Sequence, residues 1–327
     1  KLPTAEKSPE TYEKIIAVLR KLDIQHFFYI GGNDSMDTIK QLSEYAKAKN
    51  ITDITFMGVP KTIDNDLAVT DHTPGYGSAA KYIASTMKEI IRDALVQPIK
   101  IVNIIEIMGR NAGWLTAASA LAKGDDCEGV DLIYLPETVF DINKFVAKVQ
   151  EIQKTKKQIV VAVSEGVKTA DGKYVCESAS SNMLVDSFGH KQLSGTASAL
   201  ANVISNEIGC KTRAIEFSTI QRCASHIASL TDVNEAFIVG GIAVKAAFDG
   251  ETGKVGIFQR LSNKPYLMGT SIYDVNAIAN VEKTVPQEWI INDGTGVSQE
   301  ALDYMRPLIQ GEIYPYMVDG LPRHIKL

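Results

Sequence analysis

Apolar positions along this chain follow two alternating patterns. In one, they recur every three or four residues, as on the buried face of a helix. In the other, several apolar residues follow one another directly, as in a strand that is covered on both sides. The expected helices lie at 12–22, 34–47, 76–95 and 141–156, and the expected strands at 27–30, 54–58, 101–107, 132–134 and 159–163. This alternation predicts an α/β fold with parallel-rich sheets covered by helices.

Chain length adds a domain organisation to this pattern. The chain has 327 residues, which is long for one core and comfortable for two domains. Turn-forming residues concentrate in Thr73-Pro74-Gly75-Tyr76-Gly77, where we expect the chain to cross between domains for the first time. The segment 266–327 has the weakest pattern, and its proline-rich end at 314–322 is expected to form an ordered tail.

Composition excludes several classes of function. A net charge of −5 without long runs of like charge provides no footprint for nucleic acid or for an anionic membrane. No apolar stretch approaches the roughly 20 residues that cross a bilayer. The four cysteines lie far apart and form no CxxC pair. We therefore expect a reduced, cytoplasmic protein with neither nucleic acid nor membrane as a partner.

Two acids follow the strand expected at 54–58. Asp64 and Asp66 lie two residues apart, and in an extended loop they would point the same way. One could then act as a general base while the other holds Mg²⁺ through oxygen. Acid-rich loops also form solvated turns and caps, and the neighbouring Lys61 could bind phosphate or be an ordinary surface lysine. The position at the carboxyl end of a strand favours the functional interpretation.

Two other strand ends, and two arginines that flank a further apolar stretch, offer candidate phosphate ligands. Gly31-Gly32 could bring backbone amides to an anion at a helix N-terminus, or could form a simple tight turn. Arg110, after Met108-Gly109, presents a guanidinium fork suited to phosphate oxygens. Arg213 and Arg222 flank an apolar stretch and could bracket a phosphate monoester, although ion pairs would explain them equally well. Together with the acids, these residues predict a phosphoryl-transfer site with a bound metal.

The same segments resemble the phosphofructokinase family, and its pyrophosphate-dependent branch in particular. The resemblance extends to about residue 260 and rests on blocks that occur in the family's order: Gly31-Gly32-Asn33-Asp34-Ser35, Pro60-Lys61-Thr62-Ile63-Asp64-Asn65-Asp66, Met108-Gly109-Arg110, Ser164-Glu165-Gly166 and Ile220-Gln221-Arg222. It implies two Rossmann-like three-layer domains with the active cleft between them. Residues 1–75 with 221–296 would form the phosphoryl-donor domain, and residues 76–220 with 297–327 the fructose 6-phosphate domain.

The resemblance also implies an activity: reversible, Mg²⁺-dependent phosphoryl transfer from pyrophosphate to the 1-hydroxyl of fructose 6-phosphate, as a step of glycolysis in a homodimer or homotetramer. Asp64 would be the base, Asp66 would hold Mg²⁺ near Asn33, and Thr62 would contact the substrate and the transferred group. Arg110 would stabilise the charge of that group. The implied sugar ligands are Thr62, Asp64, Met108, Gly109, Arg110, Glu165, Arg213, Thr219 and Arg222.

The phosphoryl donor is expected to be pyrophosphate. The implied donor-binding residues are Gly31, Gly32, Asp34, Ser35 and Lys61. In ATP-using relatives the positions of Asp34 and Lys61 resemble glycines, which leave room for a nucleotide. The Asp34 carboxylate would fill part of that space and repel the α-phosphate, whereas Lys61 would add a cation for the terminal phosphates.

The chain departs from the family pattern at three places. Asn33 stands where an aspartate is usual, which removes one negative charge near the metal. Thr219 replaces an aromatic residue or histidine, which removes a phosphate contact. The family's first strand and glycine-rich loop have no counterpart, so we expect that roughly 70 to 80 residues precede this sequence in a longer polypeptide. An intact mass near 35.6 kDa would contradict that expectation.

Two alternative functions remain open at this point. An ATP-dependent 6-phosphofructokinase is the nearer one, and Asp34 and Lys61 disfavour it. A non-catalytic regulatory subunit of the same fold is the more distant one, supported by Asn33 and the missing segment but disfavoured by the presence of both Asp64 and Asp66. Substitution of Asp64 separates them, because only an enzyme would lose turnover.

Overall fold

The computed structural model describes residues 2–178 and 193–326. Its α-helices are α1 (Pro9–Lys21), α2 (Asn33–Ala48), α3 (Tyr76–Leu95), α4 (Trp114–Ala118), α5 (Ile142–Ile152), α6 (Thr196–Ile208), α7 (Leu230–Phe248) and α8 (Gln299–Met305). Its strands are β1 (His26–Gly31), β2 (Thr55–Pro60), β3 (Ile101–Ile107), β4 (Leu132–Tyr134), β5 (Gln158–Ser164), β6 (Lys211–Glu216), β7 (Lys254–Asn263), β8 (Tyr266–Asp274), β9 (Ile290–Ile291), β10 (Gly296–Val297), β11 (Met317–Val318) and β12 (Leu321–Pro322). The predicted α/β class is confirmed.

The chain divides into two compact units. The first comprises Lys1–Gly75 and Asp232–Lys283, and the second comprises Tyr76–Thr231 and Thr284–Leu327. Residues 221–231 and 284–296, expected beside the N-terminal segment, therefore belong to the second unit. Hydrogen bonds to distant parts of the second unit explain the difference: the Ser229 hydroxyl donates to the Leu308 carbonyl over 2.7 Å, and the Val285 amide donates to Glu137 Oε1 over 2.9 Å.

The first unit is built on a four-stranded sheet with the order β1-β2-β7-β8. β1, β2 and β7 run parallel, whereas β8 is antiparallel to β7. On one side, Met36, Ile39 and Leu42 of α2 join the buried cluster that includes Phe56 of β2. Gly31 lies opposite Pro60, so the carboxyl ends of β1 and β2 meet at the same edge of the sheet.

The hairpin of β7 and β8 was not predicted from the sequence. The first half of β7 is buried from Val255 to Phe258, but from Gln259 onward the residues become largely exposed. The apolar run is therefore short, and the rest of the hairpin offers no covered face that periodicity could detect. Phe258 itself joins a second small core with Val59 and Val239.

The second unit is built on a fully parallel sheet with the order β4-β5-β3-β6. Every residue of the central strand β3 is buried, because helices cover both faces of such a sheet. Ile107 lies opposite Ser164 of β5, and Glu106 lies opposite Glu216 of β6. The strand ends that carry candidate ligands therefore meet at one edge, as expected for parallel strands.

Two features complete the description of the fold. Within the ranges 2–178 and 193–326, none of the helices has the length and apolar character that a bilayer-spanning segment requires. The proline-rich end contains the small hairpin of β11 and β12, and its residues are mostly exposed.

Candidate active site

Residues 62–75 follow β2 and form a closed loop, in which the last residues lie beside the first. We name it the acid loop. Thr62 forms a parallel bridge with Gly75, and its amide donates to the Pro74 carbonyl over 3.1 Å. The Thr73 hydroxyl donates to the Thr62 carbonyl over 2.7 Å. These bonds close the loop at its base, so the two acids project from a fixed frame.

The segment between the two acids is not extended, which corrects the expectation for Asp64 and Asp66. Asn65 adopts a left-handed conformation with φ of 54°, a region that asparagine tolerates better than most residues. Its side chain is fully buried, and its Oδ1 accepts a hydrogen bond from the Thr73 amide over 3.1 Å. The relative placement of the two carboxylates therefore depends on this turn and not on the alternation of a strand.

The two carboxylates influence each other electrostatically. Burial raises the pKa of Asp66 to about 6, and the charge of Asp64 adds to that shift. A hydrogen bond from Asn33 Nδ2 to Asp66 Oδ2, at 3.3 Å, opposes it. Asp64 is held by Thr62, whose Oγ1 accepts from the Asp64 amide over 3.1 Å. A buried carboxylate beside a second one is a typical setting for metal binding or acid–base chemistry.

The residues around Asp66 fit a magnesium ion. Asn33 Oδ1 is buried and has no hydrogen-bond partner in the described part of the chain, and it belongs to the side chain that contacts Asp66. Across residues 2–178 and 193–326 there is no group of three or more His, Cys, Asp or Glu side chains that could hold a metal. Mg²⁺ commonly binds through one or two carboxylates, with waters and substrate phosphates as its remaining ligands.

The glycine-rich turn places the start of α2 beside the acid loop. Gly31 has no room for a side chain, because a Cβ there would collide with the Ser35 hydroxyl. Gly32 is the N-cap of α2, and Asp34 lies in the first helical turn. The Lys61 amide donates to the Gly31 carbonyl over 3.0 Å, while the Lys61 side chain is exposed. All the residues expected to bind the phosphoryl donor therefore lie where the carboxyl ends of β1 and β2 meet.

Lys283 of the first unit contacts the acid loop, and it was not among the site residues predicted from the sequence. Its amide donates to the Asp66 carbonyl over 2.7 Å, and its ammonium group donates to the Asp71 carbonyl over 2.6 Å. Burial lowers the pKa of Lys283 to about 8, although the charges of Asp71 and Asp66 act in the opposite direction. No motif signalled this residue, because it lies more than 200 positions after the loop that it contacts.

The second unit contains a cavity of about 330 Å³ at the carboxyl edge of its sheet. Five of the residues expected to bind the sugar phosphate lie on its wall: Met108, Arg110, Glu165, Thr219 and Arg222. The other lining residues are Glu106, Ile107, Leu193, Ser194, Glu216, Ser218 and Gln221. The cavity therefore combines two guanidinium groups with three carboxyl groups and several hydroxyl and amide groups.

Tight backbone contacts hold the loop that carries Arg110. The Ser164 hydroxyl donates to the Gly109 carbonyl over 2.6 Å, and the Gly109 amide contacts Glu165 Oε1 at 3.4 Å. Gly166 must be a glycine, because a Cβ there would overlap the Arg110 carbonyl. The end of β5 thus fixes the loop after β3.

Arg213 does not line this cavity. It lies within β6 opposite Asn103, and not at the strand's carboxyl end. Its guanidinium group donates to Asp93 over 2.8 Å in a partly exposed ion pair. The structure therefore places Arg213 and Arg222 apart, with Arg222 on the cavity wall and Arg213 paired with Asp93.

Glu106 and Gln221 are cavity residues that sequence reasoning did not select. Burial raises the pKa of Glu106 to about 7, and the charge of Glu216 adds to the shift, whereas the Ala197 amide donates to the carboxylate and opposes it. Gln221 Oε1 accepts from the Met108 amide over 3.3 Å. A carboxyl group in the middle of an apolar strand was the available signal for Glu106.

Comparisons with known proteins agree with this geometry. The family model described as phosphofructokinase matches residues 2–223. Pyrophosphate–fructose 6-phosphate 1-phosphotransferases from Halomonas elongata and Xanthomonas campestris pv. campestris are 39% and 41% identical over 100% of this chain, which covers 77% and 78% of their lengths. The crystal structure of a pyrophosphate-dependent phosphofructokinase from Nitrosospira multiformis superimposes with a TM-score of 0.86 at 37% identity, covering 96% of this chain and 75% of that one. The chain therefore belongs to the phosphofructokinase family.

Proposed function

We propose that this protein transfers a phosphoryl group reversibly from pyrophosphate to the 1-hydroxyl of fructose 6-phosphate, giving fructose 1,6-bisphosphate and phosphate. The observation that carries the proposal is the acid loop, in which Asp64 and Asp66 are close enough for the charge of one to raise the pKa of the other. The names of the relatives described above support the same reaction.

Asp64 is proposed as the general base. Its carboxylate accepts the proton of the sugar 1-hydroxyl, and the oxygen's electron pair forms a bond to the terminal phosphorus of pyrophosphate. The bridging P–O bond breaks, and its electrons leave with inorganic phosphate. Thr62, whose Oγ1 accepts from the Asp64 amide, fixes the backbone beside the base and contacts the transferred group.

Asp66 and Asn33 are proposed to hold Mg²⁺ through their side-chain oxygens. When bound, the ion would neutralise negative charge on the pyrophosphate oxygens. The amide of Asn33 keeps Asp66 oriented by its hydrogen bond at 3.3 Å, and the buried Oδ1 of Asn33 supplies a neutral ligand.

The second unit is proposed to bind the sugar phosphate. Arg222 would contact the 6-phosphate, Glu165 the sugar hydroxyls and Arg110 the charge of the transferring group. The backbone of Met108 and Gly109 and the hydroxyl of Thr219 would shape the site. Four of these residues, Arg110, Glu165, Thr219 and Arg222, share the cavity wall with Met108. Arg213 is engaged with Asp93 and is not assigned to this cavity.

Donor choice is proposed to depend on Asp34 and Lys61. Asp34 places a carboxylate in the first turn of α2, where it opposes the approach of an α-phosphate. Lys61 follows β2 directly and is exposed, so its ammonium group is available to the terminal phosphates. Gly31, Gly32 and Ser35 provide the turn on which these phosphates would lie. We further propose that the enzyme is cytoplasmic and acts as a homodimer or homotetramer.

A comparison of donors tests the proposal. Purified protein is supplied with fructose 6-phosphate, Mg²⁺ and either pyrophosphate or ATP, and fructose 1,6-bisphosphate is measured in a coupled assay. We expect kcat/KM to favour pyrophosphate by at least about 100-fold, or about 2.7 kcal/mol of discrimination. A preference for ATP would overturn the donor assignment, and absence of product with both donors would overturn the reaction.

A further inference from the structure

Lys283 connects the two arms of the acid loop: the outgoing arm, which contains Asn65 and Asp66, and the returning arm, which contains Thr70 and Asp71. On the outgoing arm, its backbone amide donates to the Asp66 carbonyl over 2.7 Å, and its ammonium group lies 3.4 Å from Asn65 Oδ1. On the returning arm, the ammonium group donates to the carbonyls of Thr70 and Asp71 over 3.2 and 2.6 Å. One side chain therefore holds both arms, in addition to the closed base of the loop and the hydrogen bond from the Thr73 amide to Asn65 Oδ1.

On the outgoing arm, Lys283 contacts Asn65, and the backbone turn at Asn65 determines how the Asp64 and Asp66 carboxylates are placed relative to each other. Asn65 lies between Asp64 and Asp66 and has the left-handed backbone described above. Its buried Oδ1 accepts hydrogen bonds from the Thr73 amide and from Lys283. Loss of the lysine would leave this oxygen with fewer donors in a buried environment, which weakens the turn that places both carboxylates.

The returning arm is itself anchored to the body of the first unit. Asp71 accepts from the Arg260 guanidinium over 2.9 and 3.1 Å, and from His72 Nδ1 over 2.9 Å in the charged form of that ring. The other ring nitrogen of His72 lies 2.8 Å from Glu235 Oε2, and the ring stacks on Phe258. Lys283 thus links the segment that carries the acid pair to an ion network that includes Arg260 of β7 and Glu235 of α7.

The charge of the lysine also matches its surroundings. The ammonium group lies near the carboxylates of Asp66 and Asp71 and donates to the carbonyl oxygens of Thr70 and Asp71. Arg260 is the neighbouring cation, and it is paired with Asp71. A cation at this place reduces the repulsion that holding Asp64 and Asp66 together would otherwise cost.

We propose that Lys283 is a positioning residue for phosphoryl transfer: by bridging the two arms of the acid loop, it fixes the Asp64 and Asp66 carboxylates relative to Asn33. The inference rests on the proposed function for its catalytic consequence. Its structural part concerns only how firmly the backbone of residues 62–75 is held in place. The lysine touches no reacting atom in this assignment, and it acts through the turn at Asn65.

The test uses Lys283→Met, which keeps an unbranched side chain of similar length but removes the ammonium donors. Lys14→Met is the matched control, because Lys14 is exposed on α1 of the same unit. A displaced base and metal ligand should lower kcat by at least about 100-fold while KM for fructose 6-phosphate stays within about threefold. Amides in residues 62–75 should exchange with solvent about tenfold faster, and Lys14→Met should match the wild type in both measurements.

The outcomes separate positioning from simple stabilisation. A variant that melts at lower temperature but keeps kcat within about threefold of the wild type would overturn the proposal, as would unchanged hydrogen exchange in residues 62–75. If Lys283→Met does not fold, Lys283→Gln replaces the ammonium group with a neutral amide that still donates hydrogen bonds, and the kcat and exchange rates of this variant test the proposal by the same criteria. If the wild type forms no product from pyrophosphate, the proposed function fails, whereas hydrogen exchange still tests the role of Lys283.

Discussion

Asn33 donates a hydrogen bond to Asp66 across 3.3 Å, joining the first residue of α2 to the loop after β2. The same side chain leaves Oδ1 buried without a partner among the residues described. An aspartate at position 33 would add a third negative charge to Asp64 and Asp66. The asparagine instead orients Asp66 with its amide and offers a neutral oxygen, so the substitution is compatible with a cation beside Asp66.

We predict that Asp66→Asn stabilises the protein at neutral pH. The pKa of Asp66 is about 6 in the folded state against an ordinary value of 3.8, so the folded state binds more protons between these values. Stability is therefore lost as pH rises through this interval. The amide avoids that loss and should raise the free energy of unfolding by about 1–3 kcal/mol above pH 7.

Urea denaturation of both proteins at several pH values checks this prediction. The difference should vanish below about pH 3.8, where the aspartate is protonated in both states. Glu13→Gln, a matched change on the exposed face of α1, should show no such dependence. A destabilising effect of Asp66→Asn at pH 7.5 would contradict the electrostatic interpretation.

Replacement of the base should abolish most turnover. Asp64→Asn keeps the shape of the side chain but cannot accept the hydroxyl proton, so we expect kcat to fall by about 100-fold to 10,000-fold. Saturating pyrophosphate, fructose 6-phosphate and Mg²⁺ isolate this effect from binding. Asp53→Asn, at a surface ion pair with Arg20, should retain wild-type kcat. Activity within threefold of the wild type would remove Asp64 from the mechanism.

Donor specificity should move when both discriminating side chains are removed. The double variant Asp34→Gly with Lys61→Gly loses the carboxylate proposed to oppose an α-phosphate and the cation proposed to attract pyrophosphate. We expect the ratio of kcat/KM for pyrophosphate to that for ATP to fall by at least about 100-fold. The two single variants show how the effect divides between the positions. An unchanged ratio would mean that donor choice is decided elsewhere.

Arg222 should affect sugar phosphate binding and not donor binding. Arg222→Met removes a guanidinium from the wall of the second unit's cavity. Loss of one charge-assisted hydrogen bond, worth about 1.5–3 kcal/mol, should raise KM for fructose 6-phosphate by about 10-fold to 100-fold. KM for pyrophosphate should change by less than about threefold. The exposed Arg323→Met is the control, and an equal rise of both KM values would argue against a specific phosphate contact.

Glu106 should make sugar phosphate binding depend on pH. Burial and the charge of Glu216 raise the pKa of Glu106 to about 7, so its carboxyl group loses its proton as pH rises through neutrality. The new negative charge lies on the cavity wall and disfavours an anionic substrate. KM for fructose 6-phosphate should therefore rise between pH 6.5 and 8.5, by about threefold to tenfold. Glu106→Gln should flatten this profile, and an unaltered profile would exclude Glu106 as its source.

Some features of this structure could be predicted because they depend on the residue pattern within a single helix, strand or loop. Candidate ligands were predicted at the carboxyl ends of strands, and parallel strands place those ends at one edge, where Gly31 lies opposite Pro60 and Ile107 opposite Ser164. The α/β class followed from the alternation of helical and strand patterns, and α3 and β3 occupy the ranges expected for them. The blocks at 31–35, 60–66 and 108–110 carried the family resemblance, which the comparisons confirmed.

Other features depended on segments that are distant in sequence. Apolar spacing gave no sign of the hairpin of β7 and β8, and the later boundaries between the units were misplaced at 221 and 296. The left-handed Asn65 replaced the extended loop expected between the acids. Arg213, assigned to phosphate, is bound to Asp93, a residue 120 positions earlier in the chain.

The sequence by itself determined the kinds of element, the family and the loops that carry the candidate site residues, because those depend on neighbouring residues and on short motifs. Tertiary structure alone decided how the acids are held. His72 meets Glu235 from 163 positions away, and Lys283 meets Asp71 from 212. Hydrogen bonds between such distant residues produce no periodic pattern in the sequence. Each of them depends on the path of the whole chain and on burial, which makes an unpaired polar group costly.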